Sequence, residues 1–277
     1  MRITRALRFG VGALALALAA TGCGGGDEGS ALDHAKEGKL TIGIKYDQPG
    51  LGLRTKDGTF TGFDVAVAEY VAGKLGVQPD GITFKEAPSA QRETLIENGQ
   101  VDFIVATYSI NDKRKEKVDF AGPYYVAGQS LLVRADSTDI TGPESLNGNK
   151  KLCSVKGSTP AQNVKDKYAG EVQLQEFDTY SLCVEALRNG SVDALTTDDI
   201  ILAGFAAQAP GQLKVVGDTF TTENYGIGLA KGDQEARDQI NDAIEEMISS
   251  GAWETALKEN VGAADFTPST APQVDRY

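Results

Sequence analysis

The chain has 277 residues, with 39 acidic side chains against 27 basic ones and a formal net charge of −12. This length suffices for one large domain or two ordinary domains, each able to bury its own core. A surface this acidic argues against nucleic acid and anionic membrane surfaces as partners, because both carry negative charge.

The N-terminal segment, residues 1–22, predicts a secretory signal peptide. Three arginines lie within its first eight residues, an apolar run follows over residues 9–20, and small residues precede Cys23. This order of segments is typical of a cleaved signal, and the apolar run is too short to span a bilayer. We expect cleavage before Cys23.

Cys23 and the residues after it predict a membrane anchor. A small-residue triplet followed by cysteine resembles the lipobox of bacterial lipoproteins, whose mature chain begins with a lipid-modified cysteine. Residues 24–30 (GGGDEGS) are polar and glycine-rich, as in flexible tethers. We therefore predict a lipidated Cys23 with a tether over residues 23–37, outside the cytoplasmic membrane. An ordinary signal with an incidental cysteine is the alternative.

Beyond the tether, strand-like and helix-like segments alternate, which predicts an α/β protein. The first series consists of strand 39–44, a helix from Asp64, helix 89–98, strand 101–107 and a short helix from Asp112. The second consists of strand 131–135, strand 152–155, helix 160–168, strand 172–177, helix 179–188, strand 192–196, helix 200–207 and strand 213–216. Strand 225–230 and helix 234–250 follow.

Two short segments of the chain are nearly alike. Residues 98–104 (NGQVDFI) are echoed by residues 189–195 (NGSVDAL), and each follows an apolar helical stretch. Asn-Gly after a helix is a stop signal, and the apolar run after Val-Asp predicts a strand. Ligands of open α/β sheets bind at the ends of strands, so two such ends suggest two lobes with a cleft between them.

Three segments resemble one protein family. They are residues 62–67 (GFDVAV), 107–120 (TYSINDKRKEKVDF) and 192–198 (VDALTTD). They are similar to the signature run, the ligand loop and a second-lobe strand of the extracellular solute-binding proteins of ABC importers for polar amino acids. Ala66 departs from the acid usual at its position. Residues 152–161 (LCSVKGSTPA) look most like glutamate importers of high-G+C Gram-positive bacteria.

The resemblance implies a two-lobe periplasmic-binding-protein-like (type II) fold with two hinge-crossing strands. We expect lobe 1 to comprise residues 38–130 and 225–277. Lobe 2 would then be an insertion of residues 131–224 between the two hinge strands, which lie near residues 129–134 and 225–230.

The predicted ligand loop places Arg114 five residues after Ser109. A guanidinium matches the planar carboxylate of an amino acid with two charge-assisted hydrogen bonds. The family pattern singles out Arg114 from a basic helical face that otherwise reads as solvated. Ser109 would add a hydroxyl and an N–H group, and Thr107, where the family often has glycine, a backbone contact.

The second lobe would supply the remaining contacts. Ser158 and Thr159 precede a predicted helix whose unpaired N–H groups attract an anion, although Thr159 also reads as a simple helix cap. Asp198 ends the echoed strand and would bind the ligand's ammonium group, with Asp199 as the local competitor. Some relatives have histidine at the position of Thr197, where we assign no contact.

A second carboxylate on the ligand would need its own cation, because burying it unpaired costs several kcal/mol. Lys45 lies where acidic-amino-acid binders of this family place a basic residue, and Arg54 and Lys156 are the alternatives. Lys45 also reads as a surface lysine. Phe63 or Tyr46 would cover the ligand's aliphatic part, although Phe63 equally reads as a core residue.

Two cysteines remain after Cys23, an even number in an oxidising compartment. Cys153 lies on a predicted strand and Cys183 on a predicted helix of the same lobe. We expect a disulfide between them, with two small buried thiols as the alternative.

Together these features predict a monomeric binding protein that delivers free glutamate, or a close analogue, to an ABC permease. Glutamine, aspartate or another polar amino acid is the alternative ligand. We expect no cofactor and no metal. An extracellular enzyme on the same fold is disfavoured because the single histidine, His34, lies beside the tether. A sensory domain would need an output module or a membrane helix that the sequence lacks.

Overall fold

The computed structural model describes residues 29–167, 172–261 and 266–277. The predicted signal peptide (1–22) and Cys23 lie outside this part of the chain. Within it, two five-stranded sheets and one three-stranded sheet are packed with helices. None of the helices in these ranges combines the length and the apolar character that spanning a bilayer requires.

In chain order, the strands are β1 (Leu40–Ile44), β2 (Asp47–Gln48), β3 (Gly52–Arg54), β4 (Phe60–Thr61), β5 (Ile82–Glu86), β6 (Phe103–Ile104), β7 (Val118–Ala127), β8 (Gln129–Arg134), β9 (Lys151–Val155), β10 (Gln173–Phe177), β11 (Ala194–Asp198), β12 (Leu213–Val216) and β13 (Glu223–Ala230). The α-helices are α1 (Ala31–Lys36), α2 (Phe63–Lys74), α3 (Arg92–Glu97), α4 (Asp112–Lys115), α5 (Thr159–Lys167), α6 (Tyr180–Arg188), α7 (Asp199–Gln208), α8 (Gln234–Ser249) and α9 (Ala252–Val261).

The two large sheets share one topology. The first sheet has the order β5-β1-β6-β13-β7, and the second has the order β10-β9-β11-β8-β12. In each sheet three neighbouring strands are parallel, the fourth pairs antiparallel with the third, and the fifth pairs antiparallel with the fourth. The echoed strands β6 and β11 occupy the same middle position in their sheets.

Two connections join the sheets. The chain leaves the first sheet at the end of β7 and enters the second at β8, and it returns between β12 and β13. The two connections touch at Gly128, where a methyl group built on the glycine would lie 2.6 Å from Cβ of Thr219. A side chain at this position would push the connections apart. The two connections thus come immediately before β8 and β13, the strands that the sequence analysis associates with a hinge.

The echo has a structural cause at the start of each strand. The Asp102 N–H donates to the Thr41 carbonyl (2.8 Å) while its carboxylate accepts from the Thr41 N–H (2.6 Å). Asp193 makes the same pair of bonds with Lys151, both at 2.8 Å. Each aspartate therefore fastens its segment to the beginning of the neighbouring parallel strand, β1 or β9.

The prediction of a flexible tether through residue 37 is wrong from residue 31 onward, because residues 31–36 form α1. Ser30 and Asp33 form a capping box, which satisfies N–H groups at the helix start. Leu32 is buried against the first sheet's core, and His34 Nδ1 lies 2.5 Å from the Asp102 carboxylate. Capping and burial therefore order this segment, which glycine-rich composition alone does not reveal.

The predicted disulfide between Cys153 and Cys183 is present and buried. It joins β9 to α6, with 5.7 Å between the two Cα atoms and a separation of 30 residues along the chain. The bond therefore fixes α6 on the second sheet.

Replacing both cysteines with alanine is expected to lower the free energy of unfolding by about 3 to 4 kcal/mol, because the unfolded chain regains the freedom of the closed loop. Urea denaturation of the oxidised protein and the Cys153→Ala, Cys183→Ala double variant measures this difference. A dithiol reductant should shift the unfolding midpoint of the wild type and leave the double variant unchanged. A double variant as stable as the oxidised protein would contradict the expectation.

Candidate functional site

Arg114 links the two lobes. It lies in the short helix α4, whose cap residue Asn111 accepts a hydrogen bond from the Arg114 N–H at 2.9 Å. Its guanidinium donates to the Ser109 carbonyl at 2.6 Å on its own side, and to the Thr159 hydroxyl and the Gly157 carbonyl, both at 3.0 Å, on the other. Arg114 therefore already contacts the segment before α5 that the sequence predicts as its partner in ligand binding.

The sequence analysis missed a second buried arginine, Arg92, at the start of α3. Its guanidinium donates to the Ala106 carbonyl at 3.0 Å and lies 4.1 Å from the centroid of the Tyr108 ring. The Arg114 guanidinium lies 4.9 Å from the centroid of that same ring. Aromatic faces attract cations, so Tyr108 holds two guanidinium groups close together.

Lys45 is the third cation of this cluster. Its ammonium group donates to the Ser89 hydroxyl at 2.8 Å. Burial, together with the positive charges of Arg92 and Arg114, lowers the pKa of Lys45 to about 7. The exposed fractions of Lys45, Arg92 and Arg114 are only 4%, 2% and 7%, so the solvent screens these charges weakly.

The two alternatives to Lys45 lie on the surface. Arg54 is exposed and its guanidinium lies 5.6 Å from the centroid of the Tyr46 ring. Lys156 is exposed and pairs with Asp178 at 3.3 Å. Of the three cations considered for a second carboxylate, Lys45 is therefore the buried one.

Acidic groups balance only part of the cluster's charge. Glu93 lies 3.3 Å from Nε of Arg114. Asp64 is buried behind the cluster, where it accepts from the Thr107 N–H at 2.9 Å and the Tyr124 hydroxyl at 2.8 Å. Burial raises the pKa of Asp64 to about 6.

The predicted backbone role of Thr107 needs correction. Its N–H group donates to Asp64, so it is already engaged, and its hydroxyl lies 3.2 Å from the Gln48 amide oxygen and 2.8 Å from the Ala106 carbonyl. Thr107 has a φ of 45°, in the left-handed region that few residues other than glycine adopt. Ser109 pairs with Tyr225 in an isolated bridge beside Arg114.

On the second lobe, the two hydroxyl residues before α5 have different roles. The Ser158 hydroxyl accepts from the Ala161 N–H at 3.1 Å and so caps the helix. Thr159, which the sequence suggests as the cap, accepts from Arg114 instead. Capping depends on which side chain can turn back over the first turn, and the serine before the helix does so here.

Asp198 ends β11 and is buried. Its Oδ2 accepts from the Tyr225 hydroxyl at 2.5 Å, while Oδ1 has no hydrogen-bond partner among the described residues. Burial raises the pKa of Asp198 well above its usual range, and the negative charge of Glu223 adds to this. Asp199 accepts from the N–H groups of Gly128 and Ile200 at the start of α7, which is the structural role expected of the competitor.

Phe63 lies in the hydrophobic core. Its ring packs edge-on against Trp253 with 5.7 Å between centroids, and Tyr124 and Tyr125 surround it. The assignment of Phe63 to the ligand is therefore corrected in favour of the core reading, since α2 directs this side chain toward the other aromatic rings.

A cavity of about 530 Å³ opens beside Arg114, and both lobes line it. Five buried side-chain atoms have no hydrogen-bond partner among the described residues: Nε2 of Gln48, Nε of Arg92, the hydroxyls of Tyr108 and Thr197, and Oδ1 of Asp198. The first two are donors on one lobe and the last is an acceptor on the other, and a small molecule with both negative and positive groups could satisfy them. Within the same residues, no cluster of three potential metal ligands is present.

Lys45→Met is expected to stabilise the free protein, because it removes a buried ammonium group beside two guanidinium groups. Since the folded-state pKa of Lys45, about 7, lies below that of ordinary lysine, the penalty applies fully below that pH and fades as the pH rises toward the ordinary value. Chemical denaturation should show a larger gain about one pH unit below the folded-state pKa than about two units above it. Equal gains would contradict this account of Lys45.

Comparisons with known proteins agree with this geometry. Glutamate-binding protein GluB of Corynebacterium efficiens is 53% identical over 252 residues, which cover 87% of this chain and 85% of that protein. The ABC transporter glutamine-binding protein GlnH of Bacillus subtilis is 38% identical over 222 residues and 80% of each chain. These relatives are binding proteins rather than enzymes.

The predicted two-lobe periplasmic-binding-protein-like (type II) fold is confirmed. A solved structure of an ancestral arginine-binding protein bound to glutamine matches this fold with a TM-score of 0.75 and 35% identity. The match covers 81% of this chain and 98% of the solved chain. The family profile of the bacterial extracellular solute-binding proteins, family 3, matches residues 40–263. On this match and these identities, the chain belongs to the bacterial extracellular solute-binding proteins, family 3.

Proposed function

We propose that the protein binds glutamate between its two lobes and delivers it to an ABC permease. The observation that carries this proposal is the set of three buried cations, Lys45, Arg92 and Arg114, opposite the buried carboxyl of Asp198. Glutamate carries two carboxylates and one ammonium group, which is the complementary set of charges. The similarity to a protein named for glutamate binding supports the same ligand.

Each charged group of the ligand has an assigned partner. The α-carboxylate would bind the Arg114 guanidinium, with Ser109 and Thr159 beside it. The ammonium group would bind Oδ1 of Asp198, which lacks a hydrogen-bond partner among the described residues. Such a contact would favour the ionised form of Asp198 and so oppose the effect of burial on its pKa.

The side-chain carboxylate would bind Lys45 and Arg92. Nε of Arg92 is a buried donor without a hydrogen-bond partner among the described residues, and the ammonium group of Lys45 donates to the Ser89 hydroxyl. A charge-assisted hydrogen bond contributes about 1.5 to 3 kcal/mol net. A few such bonds from the two lobes suffice for a micromolar dissociation constant, about 8 kcal/mol, after the costs of closure are subtracted.

Glutamine is the second candidate ligand, because a relative named for glutamine binding is 38% identical. Its amide lacks a negative charge, so it would leave the excess cations of Lys45 and Arg92 unbalanced. The charge of the cluster therefore favours glutamate.

The two lobes would close on the ligand about a hinge. We assign residues 38–130 and 225–277 to lobe 1 and residues 131–224 to lobe 2, with the hinge at the two connections beside Gly128. Because Arg114 belongs to one lobe and Asp198 to the other, a ligand that binds both further stabilises the closed form, in which Arg114 already bonds both lobes. The permease would recognise the closed monomer.

We further propose that the protein is held at the outer face of the cytoplasmic membrane through a lipidated Cys23. The support is the sequence alone: a signal-like segment, the lipobox-like triplet and a polar stretch after the cysteine.

Titration calorimetry with glutamate and glutamine tests the ligand assignment. Lys45→Met should weaken glutamate binding by about tenfold to a hundredfold, since it removes one charge-assisted contact, and should change glutamine binding much less. Arg114→Ala should abolish the binding of both, because they share the α-carboxylate. Absence of heat from every amino acid with the wild type would overturn the proposed function, and equal losses in the Lys45 variant would overturn the role of Lys45.

Labelling of growing cells with a radioactive fatty acid tests the anchor. The wild-type protein should carry the label and sediment with membranes, whereas Cys23→Ala should lose the label. A Cys23→Ala protein that still carries the label would contradict the anchor, because the fatty acid would then be attached to another residue.

A further inference from the structure

One short segment joins the ligand site to the opposite lobe. Residues 45–50, which we call the bridging segment, begin with Lys45 in the cation cluster and continue through β2 to the turn at Pro49 and Gly50. Both α6 and α7 of the second lobe contact β2. These contacts lie outside the set of residues assigned to the ligand.

Asp47 of the bridging segment contacts the N-terminus of α6. Its Oδ2 accepts from the Ser181 N–H at 3.0 Å, while Thr179 caps the same turn through the Leu182 N–H. The first N–H groups of a helix have no partner within the helix, and a carboxylate is favourable at this end of the helix dipole. Asp47 therefore adds an attraction between the lobes that does not depend on what lies between them.

Gly204 of α7 meets the same segment. A methyl group built on Gly204 would lie 2.2 Å from the Pro49 carbonyl oxygen, far inside van der Waals contact. Glycine within a helix costs about 1 kcal/mol relative to alanine, so the fold forgoes helix stability at this point. The absent side chain lets the turn of lobe 1 lie directly against the helix of lobe 2.

The turn has little room to move away. On its other side, a methyl group built on Gly50 would lie 2.8 Å from the Asn260 carbonyl oxygen at the end of α9. Gly50 also has a φ of 78°, a conformation that favours glycine. The Pro49-Gly50 turn is thus wedged between α7 of one lobe and α9 of the other.

The disulfide connects this contact to the body of the second lobe. Cys183 follows Ser181 by two residues and is bonded to Cys153 on β9. The hydrogen bond from the first turn of α6 to Asp47 therefore connects lobe 1 to the second sheet through this disulfide.

We propose that Asp47 and Gly204 are positioning residues for lobe closure: they stabilise the closed arrangement whatever ligand the site holds. Closing the lobes seats the bridging segment on α6 and α7, whereas Lys45 is held by Ser89 of its own lobe. The residues that recognise the ligand and those that hold the lobes together then contribute separately to affinity.

Gly204→Ala tests this proposal, with Gly73→Ala as the matched control. Gly73 also lies in a helix, α2, but a methyl group built on it meets nothing within 4 Å. We expect Gly204→Ala to weaken glutamate and glutamine binding by the same factor, about tenfold or more, while Gly73→Ala leaves both unchanged. The midpoint temperature of thermal unfolding should not be lower for free Gly204→Ala than for the free wild type, because alanine favours the helix.

Small-angle X-ray scattering provides the direct readout. At saturating ligand, the radius of gyration should be larger for Gly204→Ala than for Gly73→Ala, since the added methyl group holds the lobes apart. Asp47→Asn, which keeps an oxygen acceptor but removes the charge, should weaken glutamine binding by a smaller factor. Glutamine is the readout for this variant because the Asp47 charge also acts on Lys45. Affinities and radii for Gly204→Ala that equal those of the control would overturn the proposal, as would a loss confined to glutamate.

The outcome is separable from that of the proposed function. If the wild type binds no amino acid, the free proteins still decide the matter. A larger radius of gyration in free Gly204→Ala than in free Gly73→Ala supports the closure contact, and equal radii overturn it.

Discussion

The structure of the site depends on one constraint: a buried guanidinium must find hydrogen-bond acceptors, and Arg114 finds them on both sides of the gap between the sheets. The Ser109 carbonyl lies on its own side, and Gly157 and Thr159 lie on the other. Removing one partner of a buried charge lowers the free energy of unfolding by several kcal/mol. The closed arrangement therefore follows from the need to satisfy this group, and the position of α4, the loop before it and the start of α5 follow in turn.

The excess of buried positive charge is the second consequence. Arg92 and Arg114 both pack on the Tyr108 ring, Lys45 lies close enough to feel the charges of both, and Glu93 pairs with Arg114. Such a cluster lowers stability unless its charges are paired, and it is this chemistry that the proposed anionic ligand would satisfy. The raised pKa of Asp198 has the same cause, since burial without a full set of partners disfavours its charged form.

Several features could be predicted because they depend on short-range sequence. The echoed stops before β6 and β11, the arginine five residues after Ser109 and the pairing of Cys153 with Cys183 are examples. The errors arose where two chemically similar neighbours compete or where burial comes from distant residues. Ser158 rather than Thr159 caps α5, and Phe63 belongs to an aromatic core assembled from α2, β7 and α9.

By itself, the sequence determined the alternation of strands and helices, the repeat that places two strand ends at one cleft and the residue types that meet an amino acid's charges. It did so because periodicity, stop signals and local motifs are written within a few residues. Only the tertiary structure decided that Arg92 and Arg114 pack on the same tyrosine ring, that α1 docks through its cap and buried face, and that Gly204 lies against Pro49. These depend on distances between segments far apart in the chain, and such distances are set by packing.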